Sequence, residues 1–142
     1  MNNALLRDLV VLVARIAVGV VFVAHGWQKI STNGIDATAG AFDMMGVPAP
    51  TLSAWFAAIV ELVGGALLIA GLALPVAALL LFVDMLGAFA TVHMGSGVFV
   101  DQGGYELVLA LGVVSLLLAA IGAGRFSLDR LVAPKLADGI TA

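Results

Sequence analysis

Cysteine is absent from the 142 residues. That removes disulfides, thiolate nucleophiles and thiolate metal sites from the chemistry of this chain. Charge is scarce too: 11% of the residues are Asp, Glu, Lys or Arg, where a soluble domain carries about a quarter. No run of Lys and Arg is present, so the electrostatic footprint of a nucleic-acid binder is missing. The glycine-rich stretch "GSGVFVDQGG" has no lysine and no strand-to-helix context, so it is not a phosphate-binding loop. No haem-attachment motif and no dinucleotide-binding loop occur either. The strict apolar–polar alternation of a membrane barrel is also missing.

Apolar sequence is abundant. Hydrophobic residues make up 63% of the chain and the mean hydropathy is +1.18. A body this small has too much surface to hide so many apolar side chains from water, so the chain belongs in a bilayer. About 20 apolar residues cross the hydrocarbon as a helix. Four segments approach that length, at 6–27, 52–72, 76–94 and 105–121. The expected fold class is an all-α membrane protein, a bundle of four transmembrane helices, with residues 1–142 forming one membrane domain. Backbone groups in lipid must be satisfied within the segment, which selects helices. Pro48, Pro50 and Thr51 mark the start of the second helix, and "GLALP" is so short that helices two and three should be antiparallel neighbours. Residues 30–50 are read as a long outer loop. The first segment is read as a retained helix: its apolar run is long, Arg15 interrupts it, and "AHGWQK" is a poor cleavage site.

Basic residues near the helix ends set the expected orientation. Arg7 precedes helix one, and Arg125, Arg130 and Lys135 follow helix four, whereas the opposite side holds only Lys29. Both termini are therefore expected to be cytoplasmic, in a plasma or inner membrane. At about 1.5 Å per residue, Arg15, Glu61 and Asp84 all fall near the bilayer midplane. Arg15 is the anomaly in an otherwise apolar helix, and the expectation is that Glu61, Asp84 or both face it. Intramembrane charges are costly and usually functional, although a satisfied polar network can also serve only to fix packing.

A second polar layer lies toward the outer side. It contains His25, Lys29, His93 and Glu106, with Trp27, Trp55 and Tyr105 nearby. Lys29 can snorkel to the interface or contact a ligand. Two imidazoles and a carboxylate suit a metal in principle, but interfacial histidines more often make hydrogen bonds, and no metal site is assigned. The aromatic residues fit an interfacial belt. On a straight helix His93 lies about 180° from Asp84, so the third helix must bend near Gly87 or point one of the two away from the bundle axis. Each half of the chain reads as a charge, a histidine nine or ten residues later, a loop and "ELV", the pattern expected from two repeated hairpins.

"GVVFVAHGWQK", "ELVGGALLIAGL", "GGYELVLALG" and "GAGRFSLD", in that order and spacing, resemble the DoxX family of small four-helix membrane proteins. The likeness runs from about Leu6 to Leu131. The family is related to DoxD, the membrane subunit of thiosulfate:quinone oxidoreductase. The resemblance implies a redox-linked subunit of a membrane oxidoreductase assembly, with a quinone as the candidate cofactor. The candidate ligand-binding residues are then Arg15, His25, Lys29, Glu61, Asp84, His93 and Glu106. Such a chain encodes no electron carrier, so it needs a partner or a bound cofactor; its expected partners are the lipid bilayer and proteins of a membrane complex or a homo-oligomer, and no nucleic acid. The alternatives are a non-catalytic assembly subunit and a small transporter or lipid-binding protein.

Overall fold

A computed structural model of the chain describes residues 3–132; Lys135, used above to orient the chain, lies outside the described residues. The described residues form α1 (Asn3–Trp27), α2 (Ile35–Met44), α3 (Pro50–Ala70), α4 (Leu74–Ala88) and α5 (Glu106–Ile121). Two helices continue at their C-terminal ends into a wider π-helical turn: α1 through Gln28–Thr32 and α4 through Phe89–His93. With those turns, the stretches Asn3–Thr32, Pro50–Ala70 and Leu74–Ser96 are long and apolar enough to cross a membrane, and Glu106–Ile121 is a shorter apolar helix. The architecture is the expected all-α bundle of four membrane helices. Residues 30–50 are not simply a loop, because they contain the ten-residue α2.

Helix α1 packs beside α3, α3 beside α4, and α4 beside α5, with α5 closing lightly onto α1. The sequence explains the closeness of α1 and α3. A Cβ added to Gly65 would lie 2.7 Å from the Gly19 carbonyl oxygen and 2.8 Å from the Val23 nitrogen. One added to Gly26 would lie 2.8 Å from the Ala58 carbonyl oxygen. Small residues let two backbones meet where lipid supplies no hydrophobic drive. Phe22, Leu68, Leu74, Ala78, Leu81, Met85, Val108 and Leu118 fill the interior, while residues such as Val13, Leu52 and Leu117 point outward, as a lipid-facing surface requires.

The turn between α3 and α4 is tight. Gly71 takes the left-handed conformation (φ 66°), and the amide of Leu72 donates to the Leu67 carbonyl at 3.1 Å, a glycine-ended helix terminus. Ala73 is also left-handed (φ 49°), a conformation that costs a non-glycine residue about 1–2 kcal/mol. The Asp129 carboxylate holds it there, accepting from the amides of Ala73 at 2.7 Å and Leu74 at 3.1 Å. A carboxylate from the far end of the chain thus caps the start of α4.

Candidate functional site

Three of the expected site residues converge. Lys29 Nζ donates to Glu61 Oε2 at 2.6 Å, and the Asp84 carboxyl faces Glu61 with Lys29 in electrostatic reach. The Glu61 side chain is 5% exposed and that of Lys29 17%, and Asp84 is also buried. Each residue comes from a different helix. Glu61 lies on the glycine-lined face of α3 with Gly64 and Gly65, Asp84 is among the inward residues of α4, and Lys29 sits on the π turn that ends α1. Wide turns of this kind occur mostly at functional places. Thr38 Oγ1 donates toward the Lys29 carbonyl (3.1 Å) and the Gly34 carbonyl (3.0 Å), so α2 braces the turn that carries the lysine. With all three groups ionised, one cation faces two carboxylates, leaving one negative charge uncompensated. Asp84 Oδ2 is buried without a hydrogen-bond partner among the described residues.

Arg15 is not part of this group, which corrects the expected pairing with Glu61 and Asp84. Its guanidinium turns toward the end of the bundle that carries the termini, where Nη2 donates to the carbonyl of Phe126. It lies against Gly71 and Ser127, with Asp129 the nearest opposite charge. The physical reason is side-chain direction. Cα–Cβ bonds in a helix tilt toward its N-terminus, so a long side chain reaches well below the depth of its own Cα. On α1 that tilt carries Arg15 away from Glu61 and brings Lys29 down to it. Gly71 is required here twice over, because any Cβ would collide with the guanidinium.

Arg15 is held by a return segment, residues 125–131, that folds back beneath α1, α3 and α4. Arg125 Nε pairs with Asp8 Oδ2 at 3.0 Å, and Arg7 lies 3.4 Å from Asp8 Oδ1. The amides of Leu128 and Asp129 donate to the carbonyls of Ala70 (3.2 Å) and Gly71 (2.9 Å). Asp8 and Asp129 were missed as structural residues by sequence reasoning. The available signal was a carboxylate flanked by arginines at each end of the chain, "RD" at 7–8 and "DR" at 129–130.

The remaining candidates are spoken for locally. His25 Nδ1 lies 2.9 Å from the Val21 carbonyl, one turn back on its own helix. His93 Nδ1 lies 2.7 Å from the Gly103 carbonyl, and Glu106 Oε1 accepts from the Val100 amide at 2.7 Å. Both therefore tie down the connection between α4 and α5. A π turn at Phe89–His93 separates Asp84, which is buried in the bundle, from His93, which faces the connection. Tyr105 packs edge-to-face on Phe89, with ring centroids 5.3 Å apart. Among the described residues no three His, Asp or Glu side chains cluster as metal ligands do.

Comparison with known proteins agrees with this architecture. The family model described as DoxX matches residues 10–94, which contain most of α1, all of α2 to α4 and all three converging residues. The chain is 35% identical over 132 residues to "Uncharacterized membrane protein Rv3486" of Mycobacterium tuberculosis (strain ATCC 25618 / H37Rv), covering 84% of this chain and 79% of that protein. It is 31% identical over 121 residues to "Putative oxidoreductase CatD" of Bacillus subtilis (strain 168), covering 85% of each. It is 31% identical over 129 residues to "Inner membrane protein YphA" of Escherichia coli (strain K12), covering 87% of this chain and 91% of that protein. No solved structure matches significantly. The chain is a multi-pass membrane protein and belongs to the DoxX family.

Proposed function

We propose that the chain is the membrane subunit of a quinone-linked oxidoreductase assembly, in which Lys29, Glu61 and Asp84 form the polar end of a quinone site. The observation that carries the reading is the unpartnered Oδ2 of Asp84 beside a Lys29–Glu61 pair. Arg15 Nε and Nη1 and Ser115 Oγ are also buried without a partner among the described residues, but at Asp84 the open atom sits beside a second carboxylate and an ammonium, where an unmade bond in hydrocarbon is costly. An open position in a charged group is what a ligand needs. A quinone carbonyl accepts hydrogen bonds, which the Lys29 ammonium can donate. Reduction to the quinol takes up two electrons and two protons. The carboxyls of Glu61 and Asp84 are groups that can pass those protons. The electrons must come from a partner carrying a redox cofactor, because this chain has no cysteine, haem-attachment motif or dinucleotide loop. The printed name of the Bacillus subtilis relative, a putative oxidoreductase, agrees in kind. Arg15, His25, His93 and Glu106 support the site by holding the helices and connections around it. In the orientation we propose, the termini and Arg7, Arg125 and Arg130 are cytoplasmic.

A packing lock is the second reading, favoured by the direct 2.6 Å Lys29–Glu61 contact. An azido-quinone photolabel separates the two. Under the quinone reading the label maps to α1, α3 and α4 near Lys29, Glu61 and Asp84. Unlabelled quinone competes it away, and folded Lys29→Met loses it. Labelling spread evenly over the lipid-facing residues, with no competition, leaves only the lock.

A further inference from the structure

At the end of the bundle where α1 begins and α5 ends, the return segment borders an open cavity of about 570 Å³. Its polar lining comes from Arg125, Arg130 and Ser127, and its apolar lining from Phe126, Leu128 and Leu131. Those three apolar side chains are exposed, Leu131 by 64%. Arg130 makes no ion pair among the described residues, and Arg125 spends only Nε on Asp8. The charges at this end are Arg7, Arg15, Arg125 and Arg130 against Asp8 and Asp129, an excess of two positive charges among the described residues. Asp8 and Asp129 are themselves engaged, one by arginines and the other by the α4 amides. The cavity therefore presents free guanidinium donors directly beside exposed hydrocarbon, at the level where four membrane helices begin or end.

We propose that this cavity binds the head group of an anionic phospholipid, with Arg125 and Arg130 on the phosphate and an acyl chain along Phe126, Leu128 and Leu131. The charge complementarity selects the anionic head group, since basic pockets at helix ends attract such lipids. Continuity with the lipid-facing surface selects a lipid over a soluble anion, because a free phosphate leaves the apolar wall uncovered. The site is separate from Lys29, Glu61 and Asp84 and does not depend on the quinone reading. The lipid would also hold the segment whose Phe126 carbonyl receives Arg15, which links lipid occupancy to bundle stability.

The test uses the full chain in detergent, titrated with mixed micelles of phosphatidylglycerol or phosphatidylcholine. Melting temperature and lipid retained in native mass spectrometry are the readouts. Phosphatidylglycerol is expected to be retained at one per chain and to raise the melting temperature with its concentration, and phosphatidylcholine is not. Arg130→Gln should bind phosphatidylglycerol about fivefold more weakly, while Arg130→Lys keeps most of the affinity. Equal responses to the two lipids overturn the proposal, as does unchanged binding in Arg130→Gln. A thermal shift reproduced by inorganic phosphate alone also overturns it and marks a free-anion site.

Discussion

Removing Lys29 tests where the intramembrane charges find their partners. In Lys29→Leu, Glu61 and Asp84 keep their burial but lose their cation. Breaking a buried pair by deleting one partner costs about 3–5 kcal/mol in soluble proteins. The Lys29 side chain is 17% exposed and sits at the C-terminal end of its helix. The pair is therefore not fully enclosed by protein, and the expected cost falls to about 2–3 kcal/mol. Glu61→Leu leaves an ammonium that can turn to the interface, so its cost is smaller. The double variant removes both members together, and its loss should fall short of the sum of the two single losses by about 1–3 kcal/mol. Arg15→Leu combined with Glu61→Leu should instead be additive within about 0.5 kcal/mol, because Arg15 is held by the Phe126 carbonyl. Equilibrium unfolding in mixed micelles with increasing dodecyl sulfate measures all five variants. Additivity for the Lys29–Glu61 cycle, or strong coupling for the Arg15–Glu61 cycle, would refute the assignment of partners.

Asp129→Ala removes the acceptor for two amides and the brace on left-handed Ala73. It should cost about 1–2 kcal/mol and speed hydrogen exchange at Ala73 and Leu74; protected amides there would contradict the capping role. Gly65→Ala sets a methyl 2.7 Å from the Gly19 carbonyl oxygen, so α1 and α3 must part. A loss of about 1–3 kcal/mol is expected, read as a lower melting temperature, and an unchanged one would mean the helices are less tightly seated. His93→Ala should open the connection at 94–105 to protease while leaving the melting temperature of the bundle nearly unchanged. A large loss of stability would place His93 in the core instead.

The membrane class, the four helices and the short turn at Gly71 were all legible in the sequence, because hydropathy and glycine–proline punctuation are local signals. Lys29, Glu61 and Asp84 were all picked out, but the partner of Glu61 was not. Depth had been assigned at the Cα, and Arg15 and Lys29 each reach toward the start of α1 by the length of a long side chain. The clasp at 125–131 was invisible for a different reason. Its contacts join Asp8, Arg15 and Ala73 to residues more than fifty positions away, and most of them run through backbone groups that leave no mark on composition. Helix α2 was missed because ten residues between glycines read as a loop, and its buried Thr38 resembles any other loop hydroxyl. The two π turns had no sequence signature.

Mass spectrometry of an organic extract, from protein purified mildly out of its native membrane, bears most directly on the proposed quinone site. The quantity is quinone per mole of chain in wild type, Lys29→Met, Asp84→Leu and Arg130→Gln. Near-stoichiometric quinone in wild type and Arg130→Gln is predicted, with loss in folded Lys29→Met and Asp84→Leu. Quinone no higher than the lipid background in wild type, or equal amounts in all four proteins, would contradict a quinone site at Lys29, Glu61 and Asp84.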